Sequence, residues 1–217
     1  MSSLLHNLLL AFPAVILFAV LFPLYFRLKW RGEHAQSVIV KALCTLVPVT
    51  LCLNGCLVGG FVGFWWLLGG LALCLVGDVA IEKNLFAGMG AFALAHGLFI
   101  AAFVMYARPQ WLAVPVFLVL YAAAAFLFRK RFRDMGERLV PFVLYAAVIL
   151  AMLSMALCLP TYPGTMVLAG GACLFAVSDL TLARNILNAE RCTKRSEAIS
   201  LAFYYGGLYL IALSVWI

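Results

Sequence analysis

Charge is what this sequence lacks. Only 11% of its 217 residues are Asp, Glu, Lys or Arg, 67% are hydrophobic, and mean hydropathy is +1.12. A soluble domain, whose surface needs far more charge, is thereby excluded. CxxC spacing is also missing. The seven cysteines, at positions 44, 52, 56, 74, 158, 173 and 192, offer no zinc or redox pair. Cys52 and Cys56 share a helical face and read as packing, since buried Cys behaves as a small hydrophobe. The three histidines, His6, His34 and His96, are too scattered to suggest a metal site, and none is expected. No Lys or Arg precedes Leu8 and no small-x-small cleavage site follows, so the N-terminus reads as a first span, not a removable signal.

What is present is a series of apolar runs of about twenty residues, the length that crosses a bilayer's hydrocarbon. Eight spans are expected, at about 4–26, 38–53, 58–76, 85–106, 111–128, 139–159, 166–183 and 198–217. The fold class is therefore an all-α integral membrane bundle, one transmembrane domain over residues 1–217. The links at Asn54-Gly55, Arg108-Pro109-Gln110 and Pro160-Thr161-Tyr162-Pro163-Gly164 are turn-rich and nearly uncharged. The other links hold 14 of the 15 Lys and Arg. The positive-inside rule then puts the basic loops in the cytoplasm and both termini on the non-cytoplasmic side. The net charge of +7 reads as topology, with membrane lipid headgroups as partners and no nucleic acid. The compact length favours a bacterial inner membrane over the endoplasmic reticulum.

Against this background the acids stand out. Glu33, Asp134, Glu137, Glu190 and Glu197 sit among basic loop residues, and Glu82 is a borderline loop residue beside Lys83. Only Asp78 and Asp179 have apolar residues on both sides. A charge within the membrane costs roughly 2.5–3.5 kcal/mol on insertion scales, so such an acid is a functional candidate by default. The two occur in matching words, Val76-Gly77-Asp78-Val79-Ala80-Ile81-Glu82-Lys83-Asn84 and Val177-Ser178-Asp179-Leu180-Thr181-Leu182-Ala183-Arg184-Asn185, offset by 101 residues. Phe26-Arg27-Leu28-Lys29-Trp30-Arg31 and Phe128-Arg129-Lys130-Arg131-Phe132-Arg133 echo each other at an offset of 102. Four spans per unit is an even number. Repeats over 1–105 and 106–217 would then be parallel, with a pseudo-two-fold axis along the membrane normal and the two aspartates at equal depth.

Lys41 at the head of span two, His96 about three turns into span four, and Tyr204 with Tyr205 in span eight can all reach the same half of the bundle as the aspartates. Asn185, which closes the second aspartate word, joins them as a candidate for substrate binding. Two carboxyls in a low-dielectric site can split into one neutral acid and one carboxylate. That pair can protonate a substrate and stabilise the resulting cation. It could equally serve a proton-coupled transporter, or only tie helices together through Lys41 or Arg184 in a non-catalytic lipid-binding protein.

These residues resemble the YhhN-like family of membrane lysoplasmalogenases over essentially the whole chain. The family's Gly-Asp at the end of span three is Gly77-Asp78. Its aromatic and glycine helix leading to a His is matched by Phe86, Gly88, Phe92 and His96, its Ser-Asp by Ser178-Asp179, and its final span by Tyr204-Tyr205 and Leu210-Ile211-Ala212-Leu213-Ser214. Lys41 matches the family's Lys. Departures fall at Ala42, where the family usually has Pro, at Leu208, where Gln is usual, and at Phe99, often Tyr. The resemblance implies hydrolysis of a lysoplasmalogen's vinyl ether to a fatty aldehyde and a glycerophospho-ethanolamine or -choline, with a lysophospholipid as substrate and no cofactor. Asp78 and Asp179 would be catalytic, one the proton donor and the other an ionised partner that holds water. Lys41 would bind the phosphate or act on a carboxyl, with His96, Tyr204 and Tyr205 orienting groups deeper in the cavity.

Overall fold

In lipid every backbone N–H and C=O must be satisfied within the protein, which for this pattern leaves the helix. The computed structural model describes residues 10–106, 111–187 and 192–217. It contains eight helices long and apolar enough to cross a membrane: α1 (Leu10–Trp30), α2 (His34–Gly59), α3 (Val62–Ile81), α4 (Leu85–Tyr106), α5 (Ala113–Phe132), α6 (Gly136–Leu157), α7 (Pro163–Leu187) and α8 (Lys194–Trp216). No strand occurs among the described residues. His6, the Arg108-Pro109-Gln110 link, Glu190 and Arg191 lie outside them.

Most of the described helices end a few residues from the expected bounds, and two of these differences bear on the packing and the site. Asn54-Gly55, which reads as a turn, lies inside α2. Asn54 turns its side-chain amide back onto the Thr50 carbonyl at 2.7 Å, a bond made within the helix. Gly55 is needed for close approach: a Cβ there would sit 2.5 Å from a Val215 methyl. The helix stops instead at Gly60, whose φ of 67° is a left-handed cap that glycine adopts without strain. In α3 the helix runs on to Ile81, so Asp78 lies inside it and is buried.

The most extensive packings are α3 on α4 and α7 on α8. In the second, a Cβ on Gly171 would meet the Gly207 carbonyl oxygen at 2.8 Å, and a Cβ on Gly207 would meet that of Gly171 at 2.8 Å, so the backbones touch directly. Most packings have a counterpart four helices on, α1 on α2 and α5 on α6, α2 on α3 and α6 on α7, α4 on α6 and α8 on α2, while the slight packing of α3 on α8 lacks a comparable one. Helix α5 has no buried residue and leans chiefly on α6. At the basic end, Lys29 of α1 pairs with Glu197 of α8, and the Lys194 ammonium sits 5.0 Å from the Trp30 ring.

Candidate functional site

Helical periodicity builds the first of two polar clusters. Thr45 follows Lys41 by four residues on α2, and Glu82 follows Asp78 by four at the end of α3, so each pair shares a face. Lys41 Nζ lies 2.6 Å from Glu82 Oε1 and 3.8 Å from Asp78 Oδ1. Asp78 Oδ2 accepts hydrogen bonds from the Thr45 hydroxyl and, at 2.8 Å, from the Tyr204 hydroxyl of α8. Tyr205 donates to the Lys41 carbonyl at 3.4 Å. Asp78 is 2% exposed and Lys41 6%. The opposed charges and the hydroxyl donors make that burial tolerable. Burial raises the pKa of the Glu82 carboxyl, but the Lys41 ammonium it binds, with smaller contributions from Lys29 and His34, outweighs this and holds it below the ordinary carboxylate value.

The second cluster joins α4, α6 and α7. Asp179 Oδ2 accepts from the Tyr145 hydroxyl, and His96 Nε2 lies 3.7 Å from that oxygen and 3.5 Å from the Tyr145 oxygen. His96 is fully buried, and its Nδ1 has no hydrogen-bond partner among the described residues. Phe175 relates the two clusters: its ring centroid is 4.7 Å from that of His96 and 5.3 Å from that of Tyr204. The Phe175 and Tyr204 rings meet edge-on and the Phe175 and His96 rings are tilted, and such packing holds the polar groups in orientation.

Asp179 and Tyr145 also line an open cavity between the helices. Of the 23 described residues around it, only Asp179, Tyr145 and Tyr121 carry an oxygen or nitrogen on the side chain, and none of the described ones is Lys or Arg. The cavity runs between α5, α6 and α7 with the facing ends of α3 and α4, from Ile149 and Ala176 toward Met135 and Leu187 at the basic end. On α7, Asp179 precedes Leu187 by eight residues, about 12 Å of helix, and that stretch contributes Leu180, Leu182, Ala183 and Ile186 to the wall. Phe92 belongs to both regions: it lines the cavity, and its ring is 5.9 Å from that of Tyr204. A Cβ on Gly77 would meet the Phe92 ring at 2.9 Å, so this glycine lets the ring lie against α3 beside Asp78.

The residues expected from sequence are thus divided. Lys41, Asp78, Tyr204 and Tyr205 come together in the first cluster, His96 and Asp179 in the second. The two aspartates share no hydrogen-bond partner among the described residues. Asn185 joins neither: it accepts from the Ser196 hydroxyl at 2.7 Å and ties α7 to α8. Thr45, Glu82 and Tyr145 went unrecognised. For the first two the signal was the four-residue spacing from Lys41 and Asp78. For Tyr145 it was being the one polar side chain between Leu139 and Leu153.

With the site in view, comparison with known proteins gives one match: the YhhN family, over residues 36–215. The chain belongs to the YhhN family. That match spans Lys41, both aspartates, His96 and the paired tyrosines. Neither the curated proteins nor the solved structures contain a match to the chain.

Proposed function

We propose that this YhhN-family chain is a membrane hydrolase that cleaves the vinyl ether of a lysoplasmalogen, releasing a fatty aldehyde and a glycerophospho-alcohol. The observation that carries this reading is the apolar cavity with a carboxyl and a phenol at one place in its wall. Hydrocarbon fits such walls, and a vinyl ether needs little more than an acid. A proton delivered to its β-carbon takes up the double bond's electron pair and leaves an oxocarbenium ion. Water adds to that ion, and the hemiacetal collapses to aldehyde and alcohol. The chemistry calls for a proton donor, a nearby anion and water, in the manner of the carboxyls of glycoside hydrolysis. Among the described residues the lining has no Lys or Arg to meet a phosphate, which supports a headgroup outside the cavity. Lys41, buried against Glu82 and absent from the lining, is assigned no contact with it.

The test is aldehyde release from ethanolamine and choline lysoplasmalogens by detergent-purified protein, with folded Asp179→Asn as the comparison. Turnover by the wild type that the variant loses supports the reading. A wild type inert toward both substrates refutes it and directs attention to transport assays.

A further inference from the structure

Sequence alone treats Asp78 and Asp179 as equivalent, but their surroundings are not. Asp179 lines the cavity and is 11% exposed at its side chain. Asp78 is outside the lining and closed in by Thr45, Tyr204 and Lys41. We propose that Asp179 and Tyr145 together are the groups a cavity-bound lipid meets, while Asp78 is a positioning residue that never touches it.

This assignment rests on the hydrolase reading for its chemistry and on the cavity for its geometry. The Tyr145 hydroxyl donates to Asp179 Oδ2. A carboxyl bonded through one oxygen keeps its second oxygen for a proton directed elsewhere. Protonated on that second oxygen, Asp179 gives its proton to the vinyl ether β-carbon and becomes a carboxylate beside the new oxocarbenium ion. The same carboxylate then takes a proton from water as the water oxygen bonds to the cationic carbon. The acid is regenerated, and the step balances with no second carboxyl and no outside reagent. His96, 3.7 Å behind Asp179 Oδ2 and fully buried, orients the pair without reaching the ligand.

Asp78 acts differently. It joins three helices, accepting from α2 through Thr45 and from α8 through Tyr204 while lying on α3. Tyr204 packs on both Phe92 and Phe175, and Phe92 is part of the cavity wall. Asp78 therefore sets the placement of a wall residue through Tyr204, which is an indirect role.

Two measurements test the assignment together. Dicyclohexylcarbodiimide, a hydrophobic reagent for protonated carboxyls in apolar sites, is applied to the wild-type protein, and the modified residue is located by peptide mass spectrometry. Modification at Asp179 with Asp78 spared is the expected result, and preferential modification of Asp78 overturns the proposal. The second measurement is kinetic. Asp179→Asn should lower kcat by about 10²–10⁴-fold, the range for a lost general acid. Tyr145→Phe should lower it about 10- to 100-fold, as for a lost hydrogen bond to a charged group, and should shift the pH profile. Asp78→Asn, or Tyr204→Phe if that variant does not fold, should lose less than about tenfold with the pH profile unmoved, since only the packing behind Phe92 changes. Wild-type kinetics in Tyr145→Phe overturn the proposal, as does a folded Asp78→Asn as impaired as Asp179→Asn. If the wild type is inert yet carbodiimide still selects Asp179, the hydrolase reading fails while the assignment of the cavity carboxyl holds.

Discussion

Replacing Lys41 with Met tests whether the first cluster stabilises the fold. Met matches the length of the lysine stem and removes only the charge, so the change isolates electrostatics from packing. The ammonium it removes lies 2.6 Å from Glu82 and 3.8 Å from Asp78 and is almost wholly buried. Removing one partner of a buried ion pair costs about 3–5 kcal/mol, because the remaining charge is left uncompensated. The lower end applies here. Asp78 keeps its bonds from Thr45 and Tyr204, and Glu82, with about a third of its side chain exposed, recovers hydration. About 3 kcal/mol in a chain of this size corresponds to roughly 6–12 °C in unfolding temperature. The assay is thermal unfolding in detergent, followed by a thiol-reactive dye that reports exposure of the buried cysteines 44, 52, 56 and 74. Adding Asp78→Asn to Lys41→Met should return part of the loss, a coupling of about 1–3 kcal/mol between contacting groups. A Lys41→Met protein that melts within about 1 °C of wild type, or a double variant whose losses simply add, would refute the account of the cluster as a charge-balanced tie.

Glu82 gives a pH dependence with a definite sign. Its carboxyl is held below the ordinary value of 4.5 in the folded chain, so its contribution is present above that pH and fades as pH falls through the folded value. The gap in unfolding temperature between wild type and Glu82→Gln should be widest near neutrality and close at acid pH, and a gap that widens on acidification would contradict the pairing. Gly171→Ala places a methyl 2.8 Å from the Gly207 carbonyl oxygen and 2.9 Å from the Ile211 nitrogen. Backbone cannot move aside as a side chain can, so α7 and α8 must separate, at a cost of about 1–3 kcal/mol or more, measured by the same melting assay. Ser200→Ala removes the 3.0 Å bond from Ser200 to the Ser178 carbonyl and should cost about 1 kcal/mol.

Most of the fold could be read from sequence because the bilayer imposes one length scale and one way of satisfying the backbone. The span expected at 85–106 coincides with α4, whose ends follow the turn after Ile81 and the change of composition after Tyr106. Asn54-Gly55 misled because its turn chemistry is local, while the contact that uses it, Gly55 against Val215, joins residues 160 apart in sequence. Asp78 and Asp179 were legible as charges in apolar runs. Their difference was not, because it depends on which neighbours close over each one: Thr45, Tyr204 and Lys41 over Asp78, and the open wall of α5 and α6 beside Asp179. No sequence feature marks Phe128, Phe132 or Met135 as cavity walls and not lipid-facing residues.

The likeness of the two halves survives in how the aspartates are held. Asp78 on α3 takes a hydroxyl from α2, the preceding helix, and another from α8, the last helix of the opposite half. Asp179 on α7 takes a hydroxyl from α6, its preceding helix, and approaches a ring nitrogen from α4, the last helix of the opposite half. Exchanging the halves maps each arrangement onto the other, as it does most of the helix packings. We propose two parallel four-helix units, related by duplication, as the source of this correspondence. The chemistry of the two positions differs. At the first, Lys41 and Glu82 supply compensating charges, and a closed cluster results. At the second, the positions offset from Lys41 by 101 and 102 residues are Phe142 and Val143, both in the cavity wall. Where the first half has an ammonium, the second has hydrocarbon. That exchange leaves Asp179 without a lysine partner of that kind and gives the cavity beside it a surface suited to an alkyl chain. Installing Lys at position 143 should therefore abolish lipid binding while sparing the fold of the first cluster, measured by substrate KM alongside the melting temperature. A Val143→Lys protein that turns over lysoplasmalogen with unchanged KM would show that the cavity is not where the chain lies.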